Sequence, residues 1–115
     1  MSVSATITFD DFLKVDVRVG QIVDVRPFPA ARKPAYQLEI DFGPRIGRRR
    51  SSAQLTERYA AADLVGRQVL AVINFPPRQI ASFLSEVLVL GVPDEEGNVV
   101  LIEPQAEVPL GGRLY

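Results

Sequence analysis

The sequence has 115 residues, a hydrophobic content of 47% and a formal net charge of −1, values that suit one globular domain. It contains neither His nor Cys, which excludes disulfides, thiolate nucleophiles, His-based catalytic triads and the usual zinc ligands. No apolar run approaches the ~20 residues of a membrane-spanning helix, and the N-terminus lacks a signal-peptide pattern, so we expect a cytoplasmic protein without membrane insertion.

The first predicted element is a short helix over residues 8–14, TFDDFLK. Thr8 is suited to cap this helix, and the two aspartates that follow fall in the first turn, where the helix dipole favours negative charge. Its apolar edge is formed by Phe9, Phe12 and Leu13. Because two helical turns are not stable alone, we expect this edge to dock on the body of the domain or on a second copy of the chain.

Three strands are predicted next. The segment VDVRVGQIVDVRPF, residues 15–28, alternates apolar and polar residues with the period of a half-buried strand. Gly20 interrupts this pattern and predicts a bulge or a sharp bend, as found in small barrels. The segment AYQLEIDFG, residues 35–43, alternates again, and a polar third strand follows a turn at Gly43 and Pro44.

A helical segment, LTERYAAADLVG over residues 55–66, separates these strands from two or three more, which are read from three apolar segments. Those segments are RQVLAVINF, SEVLVLGV and NVVLIEP, and a hairpin loop, PDEEGN, joins the last two. This order of elements predicts an all-β fold with short helices, namely a five-stranded OB-fold barrel with a short N-terminal helix. An SH3-like barrel fits this order less well, because it lacks a helix between the third and fourth strands. Residues 1–115 are predicted to form a single domain, in which residues 1–14 are the N-terminal helical segment.

The basic residues concentrate in the middle of the chain. Residues 32–78 have a net charge of +5, whereas residues 1–31 have −1 and residues 79–115 have −5. This separation permits a basic surface patch on a protein whose pI is about 5.4.

The densest basic segment is GRRRSSAQ, residues 47–54. In a strand, Arg48 and Arg50 point to one face and Arg49 to the other, so that two guanidinium groups project about 7 Å apart, close to the spacing of successive phosphates. Neutral hydrogen-bonding groups are added by Ser51, Ser52 and Gln54. The alternative is a solvated edge strand that uses its charge to prevent aggregation.

Two further segments flank these strands. The loop PAARKP carries Arg32 and Lys33 between the first and second strands, and OB-folds bind oligonucleotides across strands two and three with the adjacent loops. The segment INFPPRQIASFLSEVLVLG, residues 73–91, places Arg78 after two prolines that constrain the backbone. Glu86 then precedes an apolar run, where it is suited to pair with an arginine or to accept from a base edge. Simple solvation of the loop is the alternative.

No catalytic arrangement is predicted. Acid–base chemistry would fall to Asp, Glu, Lys or Tyr, and no pair of carboxylates lies in a suggestive setting. The acidic run at residues 94–96 is predicted to be a solvated turn. We therefore expect a protein that is not an enzyme and that uses neither a cofactor nor a metal.

Five motifs cover nearly the whole chain, from about residue 12 to residue 114. They are VDVRVGQI, RKPAYQLEIDFG, RRSSAQLTERY, LVGRQVLAVINFPPRQIASFLSEVLVLG and VPLGGRL. With these motifs in this order, the sequence resembles the CsaA family and, more broadly, the tRNA-binding domain appended to some aminoacyl-tRNA synthetases and found in EMAP-type cytokines. The resemblance implies an OB-fold, a homodimer and tRNA binding without catalysis. It also implies a role as an export-related chaperone that holds unfolded preproteins.

Carried over by motif, the resemblance implies tRNA-facing positions on the first loop, on strand three and around the two prolines. Together with Arg48 from the basic segment, the predicted RNA-binding residues are Lys33, Arg48, Arg50, Ser51, Ser52, Gln54, Asn74, Arg78, Ser85 and Glu86. Relatives carry a second basic residue, a Gly and a Lys where this sequence has Gln79, Ser82 and Leu84. Two hypotheses follow: an RNA-binding module that contacts phosphates, and a protein that binds unfolded preproteins or extended peptides in apolar grooves near the dimer interface.

Overall fold

The chain folds into a five-stranded antiparallel sheet, two small hairpins and two short helices in the computed structural model, which describes residues 3–115. The helices are α1 (Phe9–Leu13) and α2 (Ala61–Leu64). The strands are β1 (Val17–Pro27), β2 (Tyr36–Asp41), β3 (Arg48–Ala53), β4 (Gln68–Val72), β5 (Arg78–Ile80), β6 (Phe83–Ser85), β7 (Leu88–Val89), β8 (Gly91–Pro93) and β9 (Val99–Leu101). The large sheet has the order β3-β2-β1-β4-β7, while β5–β6 and β8–β9 form the hairpins.

The large sheet curls into a nearly closed barrel. With 11 residues, β1 is long enough to pair with β4 through its first half and with β2 through its second half. The two edges of the sheet then meet, because the carbonyl oxygen of Arg50 accepts hydrogen bonds from the backbone N–H groups of Glu86, at 2.8 Å, and Val87, at 3.3 Å. This barrel with its N-terminal helix confirms the predicted OB-fold.

The bulge in β1 lies beyond Gly20. The pairing of β1 with β2 shifts register between Ile22 and Asp24, whereas Gly20 lies in an unbroken ladder with β4. A methyl group built on Gly20 would lie 2.5 Å from Cγ2 of Ile40 and 2.7 Å from Cε1 of Phe42. The predicted bulge therefore occurs in β1 but not at Gly20, where the lack of a side chain allows Ile40 and Phe42 to approach the strand backbone.

The barrel interior is filled by aliphatic side chains and one phenylalanine. The buried core consists of Ile22, Leu38, Ile40, Phe42, Leu55, Leu64, Val69, Ala71, Val87 and Leu101. Leu64 is the buried residue of α2, so this short helix packs on the barrel through a single side chain. Within the described part of the chain, no helix is long and apolar enough to cross a membrane.

Two predicted boundaries differ from the structure. The helix predicted over residues 55–66 is confined to the four residues of α2, whose N-cap, Ala60, has no side chain that can cap the first turn. The segment predicted as a loop before the fifth strand contains the β5–β6 hairpin, in which Arg78 pairs with Ser85. Each strand of this hairpin has only three residues, too few for a periodic pattern to be read from the sequence.

The helix α1 lies within the predicted residues 8–14, and Thr8 caps it as predicted. The hydroxyl of Thr8 accepts a hydrogen bond from the Asp11 N–H, and the Asp11 carboxylate accepts one from the Thr8 N–H, both at 3.2 Å. This capping box stabilises a helix of only five residues. Two residues of its apolar edge are exposed, Phe9 by 68% and Leu13 by 42%, while the third, Phe12, is half-buried. Residues 1 and 2 of the predicted N-terminal segment lie outside the described residues.

The loop of the β8–β9 hairpin is held by Asp94. Its carboxylate accepts hydrogen bonds from the backbone N–H groups of Glu96 and Asn98, each at 2.9 Å, and pairs with Nη1 of Arg58 at 3.0 Å. The bond from the Asn98 N–H, helped by the Arg58 guanidinium, lowers the pKa of Asp94 below its ordinary value. The Arg58 guanidinium is therefore held by an ion pair with the loop of this hairpin.

Candidate nucleic-acid interface

A second small core holds two loops beside β3. Phe28 and Ala35, at the two ends of the loop between β1 and β2, pack with Phe83 of β6, and the ring centroids of Phe28 and Phe83 lie 5.3 Å apart. These three residues are at most 6% exposed. The loop over residues 28–35 and the β5–β6 hairpin therefore keep a fixed position relative to each other.

A groove, named here the basic cleft, lies between these two loops and has a volume of about 550 Å³. It is lined by Ala31, Arg32, Lys33, Ala35, Ser52, Gln54, Arg78 and Ile80. The basic cleft thus brings together four of the predicted RNA-binding residues, which come from the first loop, from β3 and the residue after it, and from β5. Arg32, which the motif resemblance did not include, joins them.

Within residues 3–115, the cations of the basic cleft have no carboxylate partner. The chain has 13 Lys and Arg residues, and eight of them lie within 4.0 Å of a carboxylate oxygen. Among residues 3–115, the five without such an ion pair are Arg32, Lys33, Arg45, Arg49 and Arg78. Three of these five line the basic cleft, which therefore presents uncompensated positive charge to an anionic ligand.

The three arginines of β3 alternate between the faces of the strand as predicted, since Arg48 and Arg50 pair with polar positions of β2 and Arg49 with a buried isoleucine. Nη1 of Arg48 lies 3.1 Å from a carboxylate oxygen of Glu39. Nε of Arg50 lies 3.9 Å from a carboxylate oxygen of Glu86. Both outward-facing arginines thus already have an anionic partner, unlike those of the basic cleft.

Ser85 and Glu86 close the barrel against β3. The Ser85 hydroxyl accepts the backbone N–H of Ser52, and the Glu86 carboxylate accepts the backbone N–H of Arg50, both at 3.0 Å. Side-chain oxygens here take the place of the carbonyl groups of a regular strand partner. This contact, named the barrel seam, means that two residues predicted to face tRNA also hold the barrel closed.

A second groove, named the apolar cleft, adjoins the first and has a volume of about 270 Å³. It is lined by Ser52, Phe75, Pro76, Arg78, Ile80, Ser85, Glu86, Val87 and Leu88. Phe75 and Leu88 are each 49% exposed, so two large apolar side chains present their surfaces in one groove. Neither residue was predicted from the sequence. Phe75 could have been noticed, because two prolines follow it directly and a regular central strand cannot continue through them, so its side chain need not be buried in a sheet.

Four of the predicted residues, namely Arg48, Arg50, Ser51 and Asn74, line neither cleft. Both polar groups of the Asn74 side chain are occupied, because its carbonyl accepts the Asp16 N–H at 2.9 Å and its amide donates to the Lys14 carbonyl at 2.7 Å. Ser51 is fully buried. Arg48 lies on the outer face of β3, where it is 61% exposed and paired with Glu39.

Comparison with known protein families gives one match over most of the chain. A family model described as "Putative tRNA binding domain" matches residues 17–113. The chain is also 36% identical over 112 residues to a methionine–tRNA ligase from Porphyromonas gingivalis, covering 97% of this chain and 16% of that protein. A methionine–tRNA ligase from Thermococcus onnurineus is 38% identical over 108 residues, covering 94% of this chain and 14% of that protein. The chain thus spans about a sixth of the length of these ligases.

Two solved structures match over nearly the whole chain. The crystal structure of chaperone CsaA from Bacillus anthracis superimposes with a TM-score of 0.90 at 50% identity, covering 96% of this chain and 100% of that one. The CsaA chaperone protein from Picrophilus torridus gives a TM-score of 0.89 at 48% identity, with the same coverage of 96% and 100%. These matches confirm the resemblance that the sequence motifs predict.

Proposed function

We propose, on the premise that this chain belongs to the tRNA binding domain family, that it is a non-catalytic, homodimeric protein that binds tRNA in the cytoplasm. The observation that carries the proposal is the basic cleft, in which Arg32, Lys33 and Arg78 lack a carboxylate partner among residues 3–115. Cations without partners suit phosphate oxygens, and the family match supplies tRNA as the nucleic acid.

The binding we propose is largely electrostatic. Each phosphate that a Lys or Arg neutralises releases condensed counterions, so the logarithm of the association constant falls linearly with the logarithm of the salt concentration, by roughly 0.7–0.9 per contact. Ser52 and Gln54 add neutral hydrogen-bonding groups to the wall of the basic cleft. Because the second small core already holds both loops, little ordering is required on binding.

The test is a titration of fluorescently labelled bulk tRNA over a series of salt concentrations. We expect Arg78→Ala and Lys33→Ala each to weaken binding and to flatten the salt slope by about 0.7–0.9, because each removes one phosphate contact. Arg58→Gln is the matched control, since Arg58 is paired with Asp94 and lines neither cleft. Unchanged slopes for both cleft variants, with thermal melts showing folded protein, would contradict the proposal.

The homodimer in this proposal is supported by the exposed apolar side chains around α1. Ile7 is 66%, Phe9 68%, Leu13 42% and Val15 39% exposed. Monomeric proteins rarely expose apolar residues in such a group, and the same segment used twice would form an isologous interface. The homodimer is therefore proposed to form through the N-terminal segment.

A second candidate function is chaperone-type binding of unfolded preproteins or extended peptides. The apolar cleft favours it, because Phe75 and Leu88 offer exposed apolar surface beside the barrel seam. Proteins described as CsaA chaperones are also 48% and 50% identical to this chain. The two functions differ in their expected dependence on salt, which is steep for RNA and weak for an apolar peptide.

A further inference from the structure

The two clefts share a wall. Ser52, Arg78 and Ile80 line both of them, so Arg78 has the cationic groove on one side and the apolar groove on the other. A nucleotide has a matching arrangement, because its charged phosphate and its flat apolar base are joined through the sugar. A strand with phosphates in the basic cleft can therefore direct a base into the apolar cleft.

Phe75 supplies a flat surface in that cleft. Its side chain is 49% exposed, and two prolines that restrict the backbone follow it directly. Aromatic side chains stack on any nucleobase, and one such contact corresponds to about 5- to 150-fold in affinity. Because the backbone is already restricted, little conformational freedom is lost when a base binds there.

The rim of the apolar cleft also carries polar groups suited to a base edge. The Ser85 hydroxyl oxygen accepts the Ser52 N–H, which leaves its own O–H free to act as a donor. One carboxylate oxygen of Glu86 accepts the Arg50 N–H, while over residues 3–115 the other oxygen has no hydrogen-bond donor. The rim therefore offers one donor, the Ser85 hydroxyl, and one acceptor, the Glu86 carboxylate, to the polar edge of a base.

We propose that the apolar cleft takes one unpaired nucleobase of the bound RNA, which stacks on Phe75 while Arg78 binds an adjoining phosphate. The inference rests on the proposed tRNA binding. The volume of about 270 Å³ suits a single base, since it lies just below the usual range for sites that hold drug-sized ligands. The phosphates of an RNA strand also neutralise Arg32, Lys33 and Arg78 of the adjoining basic cleft, whereas an apolar peptide does not.

Two substitutions at Phe75 test the proposal. Phe75→Leu keeps an apolar side chain but removes the aromatic ring, and we expect it to weaken binding of labelled bulk tRNA at least fivefold with an unchanged salt slope. Phe75→Tyr keeps the ring and should bind within twofold of the wild type. Tyr115→Leu is the control, because Tyr115 is a fully exposed aromatic residue outside both clefts. A single-stranded oligoribonucleotide containing 2-aminopurine should lose fluorescence with the wild type and with Phe75→Tyr, but not with Phe75→Leu.

The outcomes separate this inference from the function on which it rests. If the wild type binds tRNA, Arg78→Ala weakens that binding and Phe75→Leu binds like the wild type, the base site is overturned and the tRNA-binding function stands. If Phe75→Leu keeps its affinity while Phe75→Ala loses affinity for a labelled unfolded peptide, the cleft holds a peptide side chain instead. If the wild type does not bind tRNA at all, both proposals fail.

Discussion

The cations near the interface differ in the partners they already have. In the described part of the chain, Arg78 and Lys33 have no carboxylate partner, whereas the guanidinium of Arg48 lies 3.1 Å from a carboxylate oxygen of Glu39. A phosphate that binds Arg48 has to displace the Glu39 carboxylate or share the guanidinium with it. An exposed ion pair of this kind contributes about 0–1 kcal/mol to stability. Residues of the same type and similar exposure therefore differ in what they can contribute to RNA binding.

Glu39→Gln is accordingly expected to strengthen tRNA binding. The substitution frees Arg48 and removes a negative charge from β2, so affinity at low salt should rise by about two- to fivefold and the salt slope should become steeper. The measurement is the same titration of labelled bulk tRNA. Glu95→Gln, which removes an exposed carboxylate in the β8–β9 loop, is the control. Equal gains from the two variants would mean that the effect comes from net charge alone and that Arg48 takes no part.

At the scale of residues, the sequence predicts which face of the strand each arginine occupies, but not which side chain it contacts. The alternation of Arg48, Arg49 and Arg50 follows from the twofold period of a strand, and the structure confirms it. The sequence indicates that Glu86 is suited to pair with an arginine but not with which one, because Glu39 and Glu86 lie 9 and 36 residues away from the β3 residues that they contact. Only the folded barrel brings those side chains together.

At the scale of elements, short segments were the hardest to predict. The helix α1 could be identified because its cap and its acidic first turn are local signals. The β5–β6 hairpin could not, since its strands have three residues each and depend on the packing of Ile80 and Phe83 with the Phe28 cluster. The basic cleft is bounded by this hairpin, so its shape was equally hidden from the sequence.

Gly20 gives an element-scale prediction. Gly20→Ala should lower the free energy of unfolding by about 1–3 kcal/mol, because the added methyl group would overlap with Ile40 and Phe42 in the core. Urea denaturation measures this change. Gly112→Ala is the matched control, since its Cβ would make only an ordinary contact at 3.5 Å with the Pro109 carbonyl. A loss of stability no larger than that of the control would show that the core can move away from β1.

At the scale of the whole molecule, the exposed apolar side chains proposed to form the dimer and the cations of the basic cleft lie on different elements. The first group surrounds α1, and the second lines the cleft between the loop over residues 28–35 and the β5–β6 hairpin. Association through α1 is therefore expected to leave the basic cleft of each copy open. A dimer with two open clefts would bind RNA with higher avidity when one molecule reaches both.

Phe9→Asp should convert the proposed dimer into a monomer. Phe9 is 68% exposed, and burying a charged side chain in its place at an apolar interface is strongly unfavourable. Sedimentation velocity over a range of protein concentrations measures the outcome, and thermal melts check folding. Val65→Asp, at a residue that is 53% exposed beyond α2, is the matched control and should remain dimeric. A wild-type protein that sediments as a monomer would refute the dimer itself.

The barrel seam has a consequence for local motion. The backbone amide hydrogens of Arg50 and Ser52 are bonded to side-chain oxygens of Glu86 and Ser85, so rotation of two side chains is enough to release them. These two amides can therefore exchange with solvent through a small local opening, whereas the β2-facing amides of β3 require separation of two strands. RNA that bridges Ser52 and Arg78 would hold the opening segment in place and slow exchange at the seam.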